Sequence, residues 1–200
     1  VAHGSPIAEV AAFSAESGHS RLPVYQDTRD NIIGIIYAKD MLKPLLSPDR
    51  DTMRIDKLTS KFQEALADAQ SLALGKDNAY IQPEHLLAAM LQQEDGPRAL
   101  LQRAGVNVQG LLASAESAIN RLPHVQGHEQ VQPGPDLVKL LQSTEKEAIK
   151  RGDQFIASEL YLLACADAKG TMGDIARENS LTRKSLEAAI DAVRGGQNVD

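Results

Sequence analysis

The chain has 200 residues, 42% of them hydrophobic and 24% charged, with a net charge of −6. That length allows one large domain or two small ones with a real core, and the mixing of acids with bases leaves no clustered basic face for nucleic acid. No apolar run nears the roughly 20 residues needed to cross a bilayer, so no direct membrane contact is expected.

No secretory signal is visible, and Cys165 is the single cysteine, so no internal disulfide can form. Both features fit a reducing cytoplasm. The first residue is Val1 rather than Met, which raises the expectation of a piece of a longer protein. With Trp absent and aromatics few, the core has to be built from Leu, Ile, Val and Ala.

Residues 1–46 mix periods. Ile7, Val10, Ala11 and Ser14 have helical spacing, while Arg21–Tyr25 and Ile32–Tyr37 are short β-rich runs separated by a turn at Gln26–Asn31. A second short helix over Ala38–Leu46 completes the order α-β-β-α. Residues 47–52, with Pro48 among charged residues, form a junction.

From Met53 onward no strand is expected. Leu58, Phe62, Ala65, Leu66, Ala69, Leu72 and Ala73 trace one face of a helix, with Gly75 as its stop. Pro83 fits a first helical position before Glu84 and the apolar run Leu86–Leu91. Gly96-Pro97 breaks the chain, and shorter helices follow at Leu100–Leu101 and Val108–Ile119.

The same pattern returns about 75 residues later. Phe62 falls on Leu137, Leu66 on Leu141, Ala73 on Ala148, Tyr80-Ile81 on Phe155-Ile156, Glu84 on Glu159 and Leu87 on Leu162. Leu100 then meets Ile175, Val106 meets Leu181 and Leu111 meets Leu186. A constant offset over two long segments points to internal duplication. The division predicted is a helical repeat at 53–121, an exposed linker at 122–135 rich in Pro, Gly, His and Gln, and a second repeat at 136–200. The expected fold is mainly α: two pseudo-symmetric four-helix repeats, packed with approximate two-fold symmetry, behind a small α+β segment.

Several stretches carry a family resemblance: Met53-Arg-Ile-Asp-Lys-Leu-Thr59, Phe62–Ala73, Pro83-Glu-His-Leu86, Asn120-Arg-Leu-Pro123, Lys150-Arg-Gly-Asp153, Ser158-Glu-Leu160 and Arg194-Gly-Gly. Together, residues 53–200 resemble the amino-terminal (Clp N) domain of ClpB-type disaggregases. The resemblance implies that Met53 stands at that family's initiator and Asp200 near the end of its first domain. It implies a non-catalytic module that recruits unfolded or aggregated polypeptide for an ATPase ring, with Thr59, Asp153 and Glu159 handling substrate. No G-x-x-x-x-G-K-[ST] loop occurs in the chain, so ATP hydrolysis by that family's mechanism is not expected of it. Read from the residues alone, Thr59 caps or starts a helix, Glu159 offsets the positive end of another, and Asp153 after Gly152 is a turn residue.

Ser17–Tyr25 and Asp30–Leu42 resemble a partial CBS motif of CorC-like proteins associated with magnesium and cobalt transport. That resemblance implies AMP or ATP as ligand, with Asp40 holding ribose hydroxyls and Ser20 and Arg21 near phosphate. The position usually Ser or Thr is Tyr37 here. A lone motif needs a second CBS motif or self-association to complete its sheet; otherwise Arg21 and Asp40 read as ordinary surface charges. The short junction between two unlike families makes an artificial or composite fusion the simplest reading of the whole chain, with a natural fusion as the alternative.

The remaining chemistry-bearing residues read as structural. His124 and His128 with Glu129 have an H-x₃-H spacing but fall in the linker, so no metal site is expected. Cys165 lies in an apolar helix and reads as a core residue. No nucleophile–base pattern suggests an enzyme.

Overall fold

A computed structural model of the protein describes residues 21–37, 55–125 and 131–199, together with Ala2, Ser5 and Val10. It divides into two compact units, residues 1–52 and 53–200.

In the first unit β1 (Arg21–Tyr25) and β2 (Ile32–Tyr37) form an antiparallel hairpin, with Arg21 opposite Tyr37 and Leu22 opposite Ile36. The predicted turn closes it, through the Gln26 N–H on Asn31 O at 3.0 Å. A register shift between Val24 and Tyr25 bulges β2 at Ile33. Leu22 is buried, whereas Ile32, Ile33 and Ile35 are exposed. The helices expected around Ile7–Ser14 and at Ala38–Leu46 lie outside the described residues, apart from Val10, which is helical and buried.

The second unit is helical. A short 3₁₀ turn (Ile55–Lys57) leads into α1 (Ser60–Gly75), whose buried stripe of Phe62, Ala65, Ala69 and Ala73 follows the predicted periodicity. Thr59 caps it, its Oγ1 accepting from the Phe62 N–H at 3.4 Å. Gly75 is the last helical residue rather than the stop; the left-handed turn comes at Asp77, with φ 53°. Then come α2 (Pro83–Gln92), α3 (Arg98–Arg103) and α4 (Val108–Asn120). The second set is α5 (Pro135–Arg151), α6 (Ser158–Ala166), α7 (Gly170–Glu178) and α8 (Arg183–Arg194).

α2 and α6 are the most deeply buried helices, apolar nearly all round, as helices in the middle of a core must be. Tyr161 on α6 donates from its hydroxyl to Pro83 O at 3.0 Å, and its ring meets that of Phe62 with centroids 6.1 Å apart. α2 packs on α1 and α4, and α6 packs on α5 and α7. Across the two sets, α3 meets α8 and α4 meets α7. α1 and α5, α2 and α6, and α4 and α8 each start 75 residues apart.

The expectation of no strand after Met53 is corrected. β3 (Tyr80–Ile81) and β4 (Gln132–Pro133) pair in parallel, and Leu58 makes a parallel bridge with Ile156. Such two-residue pairings are too short to show alternation in a sequence. Within the predicted linker at 122–135, Pro123, His124, Gln132 and Pro133 are exposed. Val131 is buried, residues 132–133 are paired, and His124 Nδ1 bonds Lys76 O at 2.8 Å.

Candidate functional site

The connection from α5 to α6 and the first turn of α6 carry two of the three substrate-handling candidates, Asp153 and Glu159. Gly152 ends α5 in the left-handed conformation, φ 76°, which directs the Asp153 N–H back to Ala148 O at 3.0 Å. Asp153 is thereby turned toward the end of α8, where its Oδ2 accepts from Arg194 Nη1 at 2.7 Å. Glu159, in the first turn of α6, accepts at Oε1 from Arg194 Nη2 at 2.8 Å and from Nε at 3.2 Å. One guanidinium thus bridges two carboxylates. The Asp153 side chain is 0% exposed, Arg194 11% and Glu159 23%. Burial works against the guanidinium's charge, but the bonds to Asp153 and Glu159 outweigh it and push the Arg194 pKa up.

The stretch between them is a short extended edge with a partner on either side. On one side the Ile156 N–H donates to Lys57 O at 2.7 Å, and Ile156 O accepts from the Thr59 N–H at 3.0 Å. Thr59 is therefore held beside the segment that joins Asp153 to Glu159. On the other side Val199 O accepts from the N–H groups of Gln154 and Phe155, at 2.9 and 3.1 Å. The Val199 N–H donates to Asp153 Oδ1 at 3.1 Å. Phe155 on this edge is 37% exposed.

Sequence reasoning missed the part played by Arg194 and Val199. An Arg in the last turn of a helix before Gly-Gly has a sufficient local explanation in the helix dipole and the cap. Arg194 lies 35 and 41 residues from its two carboxylates, and no spacing signals such a contact.

A second edge stands at the positions 75 residues earlier. There Gly134 N–H donates to Ile81 O at 2.9 Å, where Thr59 donates to Ile156 O. Asn78, Tyr80 and Glu84 occupy the positions of Asp153, Phe155 and Glu159, but Ile119 replaces Arg194. Without a cation, Glu84 is buried and its pKa is raised, chiefly by loss of water and further by the Asp136 carboxylate. Asn78 is committed to the interior: Nδ2 donates to Pro123 O at 3.3 Å, and Oδ1 meets His85 Nε2 at 2.9 Å. His85 Nδ1 accepts from the Gln82 N–H at 2.9 Å, so the ring is neutral with its hydrogen on Nε2. Burial lowers the His85 pKa to about 4.

The outer face of α8 is tied down by further ion pairs. Arg183 reaches Asp167 at 2.5 Å, Glu147 at 2.6 Å and Glu187 at 2.9 Å, and Arg151 reaches Asp191 at 3.2 Å. A separate shallow cleft of about 270 Å³ between α1 and α2 is lined by Asp68, Ser71, Leu72, Ala89, Gln92 and Gln93. None of the candidate site residues from the sequence lines it.

Of the nucleotide candidates, Arg21 opens β1 and is exposed, while Ser20 and Asp40 lie outside the described residues, as do His128 and Glu129. Cys165 is buried, and burial pushes its thiol up to about 12, consistent with a core residue. Among the described residues, no three His, Cys, Asp or Glu side chains gather as metal ligands. No helix among them is long and apolar enough to cross a membrane.

Residues 57–179 match the family described as the Clp repeat (R) N-terminal domain. The chaperone protein ClpB of Vibrio cholerae is 45% identical over 150 residues, covering 74% of this chain and 18% of that protein. The chain therefore spans less than a fifth of the length of this relative. The Hsp104 N-terminal domain from Candida albicans superposes with a TM-score of 0.63 at 20% identity, covering 72% of this chain and 95% of that one. A ClpV N-domain in complex with a VipB peptide gives a TM-score of 0.56 at 23% identity, covering 75% and 96%. The chain belongs to the Clp repeat N-terminal domain family, the family of the amino-terminal domains of ClpB-type chaperones.

Proposed function

We propose that residues 53–200 form a non-catalytic module that engages exposed segments of unfolded or aggregated polypeptide on behalf of a disaggregase, through Thr59, Asp153 and Glu159. The observation that carries this reading is their convergence. Thr59 is nearly a hundred positions from the other two, yet its backbone is bonded to Ile156, between them. The edge brings together backbone N–H groups, two of them held by Val199 O, two carboxylates held by Arg194, and the exposed ring of Phe155, a mixture suited to sequence-tolerant binding of extended chain once Val199 gives way. The ClpV N-domain of the same fold was solved with a peptide, which lends the reading further support.

We further take the two helical sets to be copies of one unit related by an approximate two-fold axis. The repeated starts, the reciprocal pairing of α3 with α8 and α4 with α7, and the matched Thr59–Ile156 and Gly134–Ile81 bonds support this. Binding of AMP or ATP by residues 17–42 is a separate proposal, tested by calorimetry on the Asp40→Ala variant beside the parent.

The test of the main reading is fluorescence anisotropy with labelled lactalbumin kept unfolded by reduction and carboxymethylation. The parent chain should bind it, and Thr59→Ala/Asp153→Ala/Glu159→Ala should bind at least tenfold more weakly while keeping its helical circular dichroism. A folded triple variant with the parent's affinity removes the site assignment.

A further inference from the structure

The edge at Gln154–Phe155 is already occupied by the chain itself. After α8, residues 195–199 double back, and among the described residues they bond to backbone and to Asp153. Val199 O takes both edge N–H groups, the Val199 N–H takes Asp153 Oδ1, and Asn198 Nδ2 donates to Gly152 O at 3.3 Å. The groups Val199 uses are a main-chain carbonyl and a main-chain N–H, which any extended polypeptide can supply.

The first set of helices shows how the same segment is built when it is fixed. The positions 75 residues earlier, 120–124, run beside Asp77 and Asn78, with His124 opposite Asn78 in an antiparallel bridge. They are pinned by the Asn78 bond to Pro123 O, by His124 on Lys76 O and by the Val125 N–H on Asp77 O at 2.7 Å. They begin with Asn120-Arg121. In the second set those two places are Gly195-Gly196, both left-handed at φ 57° and 83°. Added Cβ atoms there would meet nothing within 4 Å, so crowding does not explain the glycines and the backbone conformation does. Residues 195–198 are exposed, so opening them sacrifices little apolar burial.

We infer that residues 195–199 are a hinged strap, an internal stand-in for client, which an extended polypeptide displaces from the Gln154–Phe155 edge by swinging it out about Gly195-Gly196. Arg194 stays on Asp153 and Glu159 as the fixed root of the hinge. This rests on the proposed client-binding role. It adds that the site is self-occupied, so its affinity is set by competition with its own strap.

Val199→Pro removes the N–H given to Asp153 while leaving Arg194 and both carboxylates in place. The chain carrying it should bind the unfolded lactalbumin probe at least threefold more tightly than the parent. A synthetic peptide Arg-Gly-Gly-Gln-Asn-Val should compete with the probe on that variant. On the parent, saturating probe should move the Gly195–Val199 amide signals in NMR to positions typical of unstructured chain. Unchanged or weaker binding by Val199→Pro, or strap signals that keep their place at saturation, overturns the strap. Should Val199→Pro disturb folding, Asn198→Ala, which loosens the strap at Gly152, carries the same expectation. A parent chain that does not bind the probe at all sinks the client-binding role itself, a result distinct from binding that ignores the strap.

Discussion

Arg194 is the residue on which the site's electrostatics turn. Removing it strands the Asp153 carboxylate, which is wholly buried, and breaking a buried pair from one side costs about 3 kcal/mol. Arg194→Met should lower urea stability by that order, whereas Glu159→Gln, at a partly exposed position, should lose about 1 kcal/mol. Equal losses in the two variants would mean that burial does not decide the balance. His85 gives a pH signature. Its folded pKa is lowered to about 4, so the unfolded chain takes up the proton first as pH falls. Stability is fully present above the unfolded value of about 6.5 and declines toward pH 4, with a loss of about 2 kcal/mol at pH 5. Denaturant midpoints at pH 7 and pH 5 should show this fall, and His85→Gln should flatten it. At this scale the sequence told only what local rules can tell. Glu159 was legible as a first-turn acid and Asp153 as a turn residue. The guanidinium that joins them was not, because tertiary packing alone brings it there.

Each element that frames the site has its own stop or start. Thr59→Ala should cost about 1 kcal/mol through the lost α1 cap. Thr59→Asn, which can still cap, should recover that stability. If Thr59 also touches client, Thr59→Asn should regain less of the affinity for unfolded lactalbumin than of the stability; full recovery of both would make Thr59 a cap and nothing more. Helix positions were largely readable from residues 53 onward, since Pro83 opens α2 and the apolar stripes have the helical period, whereas Pro135, assigned to the linker, in fact opens α5. The stop after α1 was misplaced because an Asp, not the nearby Gly75, takes the left-handed position. The parallel pairings at Leu58–Ile156 and Ile81–Pro133 were invisible for a different reason. They join distant, irregular stretches, and a pairing of one or two residues leaves no periodic trace. Those pairings build the edge, so the candidate site was less legible than the helices around it.

Across residues 53–199 the two helical sets share one core. Phe62 and Leu86 from the first set and Leu160 and Tyr161 from the second belong to a single buried cluster. Tyr161 is fixed by a hydrogen bond to Pro83 and a ring contact with Phe62, both across the boundary between the sets. The edge bonds cross it too, since Lys57 and Thr59 grip Ile156, and Gly134 grips Ile81. A set of helices buried against a second set cannot be stable alone, because its most apolar helix would face water. Residues 53–199 should therefore unfold in urea as one cooperative transition, with circular dichroism and the fluorescence of Tyr161 in a Tyr80→Phe background coinciding. Residues 53–125 expressed alone should lack both a cooperative transition and dispersed amide signals. A separately folded first half would instead mean that the shared core is an interface between two independent domains. The Gln154–Phe155 edge would then depend on their docking rather than on the fold of one.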